Sequence, residues 1–156
     1  MSDFLNIILK ADDTAAAVPN CTPVTFLVTS KKLTEVAHEL HVNPQTYFDQ
    51  LSCVTGIDNG PDTSTMEVIY HLYSIPFNLS LALKVILSRK DPVVPTLSSV
   101  WKSADWLERE TFDMYGIIFE RHPDLRRILM PADWEGFPLR KDYKEQERYR
   151  DVQVKY

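Results

Sequence analysis

A run of alternating side chains, LSLALKVILS at 79–88, restricts this chain more than any other stretch. Leu79, Leu81, Leu83, Val85 and Leu87 fall on one face of an extended strand, with Ser80, Lys84 and Ser88 on the other. A period of two buries one face of a sheet and wets the other, whereas a helix would scatter the same leucines around its axis. Two further β-branched and aromatic runs precede it. YFDQLSCVTGI stops at the turn signal DNGPD, and MEVIYHLYSI follows as its hairpin partner. The sheet is therefore expected to be at least partly antiparallel.

The segments around these strands set the fold class. Phe4, Ile7 and Ile8 recur at helical spacing within Asp3 to Lys10, and the small residues of ADDTAAAVPN, ending at Asn20, read as a loop. TPVTFLVTS reads as a strand. Ser30 then stands as N-cap of a helix over KKLTEVAHELH that buries Leu33, Val36, Ala37 and Leu40. The prolines of RKDPVVPTL forbid a continuing ladder, so the next element is a helix holding WLERETFDMYG, capped by Ser103 and closed by Gly116 in the left-handed region. From Arg121 to Tyr156 prolines, charges and aromatics follow no period, and Trp134, Phe137, Tyr143 and Tyr149 need a surface to lie on. These signals predict an α+β fold. A small mixed or antiparallel sheet is flanked by helices in a domain over 1–120, and an extended irregular C-terminal arm runs over 121–156.

Composition excludes several function classes. A formal charge of -5 leaves no broad basic surface for nucleic acid. The early apolar run Phe4 to Leu9 is broken by Asn6 and is too short for a signal core or membrane span, so the chain reads as soluble and unexported. Cys21 and Cys53 belong to no CxxC; they are expected to be reduced, partly buried thiols rather than ligands of zinc or an iron-sulfur cluster. The chain lacks GxxxxGK[ST], GxGxxG and GxSxG motifs, which argues against nucleotide chemistry. His38 follows Glu35 as ExxH, with Glu39 and His41 close by, and a solvated helix face explains that group.

The helix around WLERETFDMYG carries the densest chemistry. Asp105, Arg109 and Asp113 stand at i, i+4 and form an exposed charge ladder, while Ala104, Leu107, Thr111 and Met114, with Tyr115 beside them, face the sheet. Glu110 lies between Trp106 and Met114, and Glu108 near Phe112 and Tyr115, on the two margins of the apolar stripe. A carboxylate so placed either rises in pKa or finds a cation. Glu108 and Glu110 as a general acid/base pair is one reading; salt-bridged structural carboxylates is the preferred one. Glu108, Glu110 and Asp113 offer hard oxygens for a metal, yet no histidine, His122 included, stands at ligand spacing beside them. The cations gather afterwards, Arg121, Arg126 and Arg127, then Arg140 and Lys141, interleaved with Asp124, Asp133, Glu135 and Asp142. Mixed charge of this kind suits contact with protein, and the arginine forks suit carboxylates on a partner or on Glu108 and Glu110.

The stretch ERETFDMYGIIFERHPDLRRILMP, followed by DWEGFPLRKDY, resembles the signature region of the C subunit of respiratory complex I, the proton-translocating NADH:quinone oxidoreductase. The likeness extends back through YHLYS and LALKVILSRKDPVVPTLSSVW. Glu108, Arg109, Glu110, Asp113, Gly116, His122, Leu125 and Arg127 stand at matching positions, and Pro131, Asp133, Trp134 and Gly136 continue the pattern. The resemblance implies an interface and structural role for these residues, with Arg126, Arg140 and Lys141, and no catalytic, cofactor or metal residue. It implies a non-catalytic peripheral-arm subunit that supports assembly of the quinone-reducing module, FMN and iron-sulfur clusters being held by other subunits. The partners it implies are the D subunit of complex I and, nearby, its B subunit, with the 121–156 arm docking on partner subunits, on the cytoplasmic side of a bacterial inner membrane or its matrix or stromal equivalent. An equivalent scaffold in a complex with a ferredoxin-type or hydrogenase-type donor is the alternative. A stand-alone carboxylate enzyme using Glu108 and Glu110 is the remaining one.

Overall fold

The computed structural model describes residues 2–154, with side chains from Phe4 onward. Helix α1 (Ser2–Ala11) leads to strands β1 (Ala16–Val18) and β2 (Val24–Leu27), a 3-10 turn at Ser30–Lys32, and helix α2 (Leu33–Val42). Strands β3 (Gln50–Asp58), β4 (Thr65–Ser74) and β5 (Leu79–Ser88) follow, then β6 (Val93–Pro95), helix α3 (Ala104–Tyr115) and β7 (Ile118–Glu120). Two short strands, β8 (Arg148–Tyr149) and β9 (Val152–Gln153), close the described chain.

Five strands form one mixed sheet in the order β1-β2-β5-β4-β3. Only β2 and β5 run parallel; the chain reaches β5 from β2 by way of α2 and the β3–β4 hairpin. The register aligns Val54 with Tyr70, Tyr70 with Leu83, and Leu83 with Phe26, and all four are buried. This inward row, continued by Met66, Val68, Leu72, Leu81 and Val85, meets Ile7 and Ile8 of α1, Leu33, Val36, Ala37 and Leu40 of α2, and Ala104 of α3 in one core. The outward row is half-solvated: Lys84 pairs with Glu67 at 2.7 Å, and Ile86 stays 48% exposed. The alternation in LSLALKVILS is therefore realised as predicted, in an α+β fold.

Several local expectations are corrected. The ADDTAAAVPN stretch is not a plain loop, because Ala16–Val18 pair antiparallel with β2. Asp12, nearly fully buried, organises it: Oδ1 accepts from Thr14 N and Oγ1, and Oδ2 accepts from Thr29 N at 2.8 Å and Thr29 Oγ1 at 2.9 Å. Ser30 does not cap α2; it opens the 3-10 turn, and Lys32 at the cap position supplies no side-chain bond. The prolines after β5 do end its ladder, yet Val93–Pro95 still form β6, pairing parallel with β7 in a separate two-stranded sheet. Cys21 and Cys53 are exposed, not partly buried. Among the described residues, no helix is long and apolar enough to cross a membrane.

Candidate docking surface around the third helix

Helix α3 begins after Ser103, whose Oγ donates to Leu51 O at 3.0 Å instead of capping the helix. It ends at Gly116, with φ +71, whose N–H donates to Phe112 O at 2.7 Å. Only glycine enters that region freely, which is why the helix stops there. Ala104, Glu108 and Thr111 face inward, and the approach to β3 is close enough that a Cβ on Gly56 would lie 2.6 Å from the Tyr115 ring.

Glu108 is fully buried. Its Oε1 accepts from Leu97 N at 2.7 Å and its Oε2 from Thr96 Oγ1 at 2.5 Å, tying α3 to the segment after β6. No described arginine or lysine pairs with it. Burial pushes its pKa up to about 7, the bonds from Thr96 and Leu97 pulling the other way and Asp105 adding to the rise. The same buried pocket raises the Tyr70 phenol well above its ordinary value, first by burial and then by the charge of Glu108. Of the two outcomes open to a carboxylate at this margin, Glu108 takes the shifted pKa; the arginine partner anticipated for it is absent among the described residues. Glu110, by contrast, is exposed and does not edge the buried stripe. The two glutamates therefore do not share one site.

This burial has a pH consequence with a definite sign. A carboxyl whose folded pKa stands above its unfolded value favours folding below about pH 4.5, and this contribution is lost as pH rises through the folded value near 7. Glu108→Gln keeps the shape and abolishes the charge. In urea unfolding across pH 5 to 8, the variant should gain roughly 1–3 kcal/mol relative to the parent between those limits. A constant difference across that range would show that Glu108 ionises normally.

The side of α3 expected to carry an exposed charge ladder is covered by the chain's own arm. Arg109 and Asp113 are buried, and each finds its partners in the arm; helical spacing could not register that residues 121–130 return across them. Asp113 Oδ2 accepts from the N–H groups of Ile128 at 3.0 Å, Leu129 at 2.7 Å and Met130 at 2.9 Å, while Oδ1 accepts from Arg127 Nη1 at 2.7 Å. Burial acts to raise the Asp113 pKa, but these four donors outweigh it and hold the carboxyl below its usual range. Arg127 also donates to Gly136 O at 2.8 Å. Arg109 donates to Arg126 O at 3.2 Å, lies 3.9 Å from Asp124, and stacks on the Trp106 ring at 4.9 Å. Arg126 pairs with Asp124 at the surface. The buried His122 ring sits 3.0 Å from Asp105 O through Nε2, and Nδ1 accepts from Asp124 N, which assigns the proton to Nε2.

Farther along, the arm is fastened a second time. Phe137 lies over Gly116 between the guanidinium groups of Arg127 and Arg140, and Arg140 Nε donates to Tyr115 O at 2.6 Å. Lys141 N donates to Asp58 Oδ2 at 2.9 Å. Asp58 also accepts from both Nε and Nη2 of Arg89, whose other partner is Asp142, and the Arg89 bond is the main reason its carboxyl falls far below the usual range. Trp134 Nε1 donates to Tyr143 OH at 3.0 Å, and its ring lies 5.3 Å from Tyr149. The aromatics that needed a surface thus cover one another and α3. Asp58 and Arg89 escaped notice in the sequence. Period two put Asp58 on the inward face with Val54, and an inward acid at a strand end calls for a cation.

Residues 26–149 match the family described as "Respiratory-chain NADH dehydrogenase, 30 Kd subunit", a span that contains α3, the fastened part of the arm, strands β3, β4 and β5, and the end of β2. The chain belongs to this family. The NADH-quinone oxidoreductase C subunit of Chloroherpeton thalassium is 43% identical over 122 residues, covering 78% of this chain and 50% of that protein. The second of the C subunits named for Rhizobium meliloti is 46% identical over 118 residues, covering 76% and 64%. The chain thus spans about half to two thirds of the length of these relatives. Among solved structures, the Nqo5 trypsin-resistant fragment (1-134) superimposes with a TM-score of 0.63 at 27% identity, covering 78% of this chain and 99% of the fragment. A chain of the archaeal membrane-bound sulfane sulfur reductase shares the fold, with a TM-score of 0.76 at 20% identity over 92% of this chain and 85% of that one. Residues of both ERETFDMYG and LRRILMP lie within the matched span, and Asp113 and Arg127 among them fasten the arm to α3.

Proposed function

We propose that this chain is the C subunit of a proton-translocating NADH:quinone oxidoreductase, a peripheral-arm subunit that supports assembly of the quinone-reducing module and carries no redox centre. One observation carries the reading. The family-matching charged residues, Arg109, Asp113, His122 and Arg127, are engaged in holding the arm against α3, so their chemistry is spent on a shaped surface and not on a substrate. In this reading the α+β domain (1–120) and the arm (121–156) dock beside the D subunit and near the B subunit, on the cytoplasmic face of the inner membrane or its organellar equivalent. The electron carriers, FMN and iron-sulfur clusters, sit in other subunits. A paired-carboxylate enzyme is disfavoured, since Glu108 is sealed with both oxygens engaged and Glu110 lies outside on its own.

Tagging the chain in its native cells and purifying it gently tests this. The expected result is co-purification with the counterparts of the D and B subunits, and less than stoichiometric iron and flavin on the chain after the complex is dissociated. Stoichiometric iron or flavin retained by the isolated chain would overturn the scaffold role, and recovery of the chain alone would overturn its membership of a complex.

A further inference from the structure

On its inner side α3 carries a titratable group without a counter-charge. The oxygens of Glu108 accept only from neutral donors, the Thr96 hydroxyl and the Leu97 N–H. The titratable groups around it are Asp105, three residues earlier on α3, and Tyr70 of β4, whose fully buried phenol oxygen has no hydrogen-bond partner among the described residues. Neither is a cation. Arg109, the next residue, turns away to Arg126 O in the arm.

Both donors to Glu108 belong to the short segment Thr96–Ser99, which other contacts pin on either side. The Thr96 N–H donates to Glu120 O at 3.0 Å, and beyond the segment Trp101 Nε1 donates to Phe48 O at 2.9 Å. The opposite side of the segment faces water. Ser98 and Ser99, with Ser30, Lys31, Glu120 and Arg121, line a surface cleft of about 550 Å³. The side chains of Lys31 and Arg121 form no hydrogen bond or ion pair with any described residue.

A hydroxyl chain joins this cleft to the buried carboxyl, because Thr96 Oγ1 lies 2.5 Å from Glu108 Oε2 and 3.0 Å from Ser98 Oγ. Thr96 has one hydroxyl proton, so the chain can run in two directions. With Glu108 ionised, Thr96 donates to the carboxylate; with Glu108 protonated, the acid donates to Thr96 and Thr96 to Ser98. Both states keep a bonded path to the cleft. They differ in what water offers them. A neutral acid loses little by being sealed, whereas a carboxylate without a counter-charge gains strongly from water and cations. The cleft supplies both, on the far side of one segment of chain.

We infer that Glu108 is a proton-controlled latch: protonated, it holds the Thr96–Ser99 segment closed against α3, and when its proton leaves along the Thr96 and Ser98 hydroxyls to water in the cleft, the segment opens and the cleft extends inward to the carboxylate. The switch falls near neutral pH, where burial has placed the Glu108 titration. It concerns this chain alone and stands whether or not the proposed function holds.

Amide hydrogen exchange of the full chain, followed by NMR between pH 6 and 8 and in low urea, tests the latch. With the intrinsic rise of exchange with pH divided out, protection of the Leu97 N–H is expected to fall about tenfold from pH 6 to pH 8, as a carboxyl titrating near 7 requires. That opening should be insensitive to low urea, whereas Leu83, on the central strand of the sheet, exchanges through unfolding that urea promotes. Glu108→Gln, neutral at every pH, should make Leu97 protection level across the range. Thr96→Val removes the hydroxyl bond that favours the charged form and should move the fall to higher pH; a hydroxyl that only supported packing would lower protection equally at every pH. A level Leu97 profile in the parent would overturn the inference, and so would the same fall in Glu108→Gln. Leu97 protection that follows urea as Leu83 does would show that the segment opens only with the whole fold, which overturns it too. Should Glu108→Gln fail to fold, the parent profile and Thr96→Val decide, and an unmoved profile in Thr96→Val overturns the latch.

Discussion

Asp113→Ala should lower the unfolding free energy by about 3–5 kcal/mol, the usual loss when one member of a buried, hydrogen-bonded ion pair is removed. Three successive backbone N–H groups, at Ile128, Leu129 and Met130, lose their acceptor together, and the Arg127 guanidinium, only 13% exposed, loses its carboxylate. Thermal unfolding of the purified chain should show the midpoint fall by roughly 6 °C or more. Limited proteolysis should open the 121–143 segment before the sheet, since the Asp58 contacts hold only its far end. The pH dependence has the opposite sign to that of Glu108. Asp113 has a folded pKa below its unfolded value, so its stabilisation is present above about pH 4 and lost as pH falls through the folded value. The difference between parent and variant should therefore shrink in acid. A midpoint within a degree of the parent at pH 7 would mean that the arm is held by other contacts.

Gly116→Ala is expected to cost about 2–4 kcal/mol, from two additive sources. At φ +71 an L side chain is strained, and the new Cβ would lie 2.5 Å from Phe137 Cε2 and 2.6 Å from Cζ. The ring cannot simply step aside, because Arg127 and Arg140 stack on it and Phe112 meets it edge-on at 6.3 Å. Chemical denaturation measures the loss. Combining it with Phe137→Ala should recover the steric share and leave the backbone share; no recovery in the double variant would show that backbone strain accounts for the whole effect.

These two sites mark where sequence reasoning succeeded and where it could not reach. Gly116 was legible as a helix terminus, because its requirement is local: a residue past the last turn with free access to positive φ. The strands β4 and β5 were legible for the same reason, their alternation being a property of neighbouring side chains. Asp113 was misread. Its spacing from Arg109 is that of a solvent-facing ladder, and the wheel of a helix carries no sign that a segment fifteen residues later will lie across it. Glu108 was half legible: its margin position forced a choice between a shifted pKa and a cation, and only the packing of Thr96 and Leu97 decided it. The strand at Ala16–Val18 escaped because three small residues carry no period, and its order comes from pairing with β2 and from Asp12 behind it. The family resemblance pointed to Arg127, His122 and Gly136, but not to what they touch.

The three tryptophans give the molecule an optical consequence. Trp101 is in the core, its Nε1 donating to Phe48 O at 2.9 Å and its ring edge-on to His41. Trp134 is half-buried in the arm against Tyr149, and Trp106 stands in water above Arg109. Intrinsic emission is thus a sum of three unlike chromophores, one blue-shifted and shielded, one reporting the arm, one red-shifted and open to soluble quenchers. Loss of quenchable emission marks cover over α3, and a change in the middle component marks release of the arm, so the two events are distinguishable in the unlabelled chain.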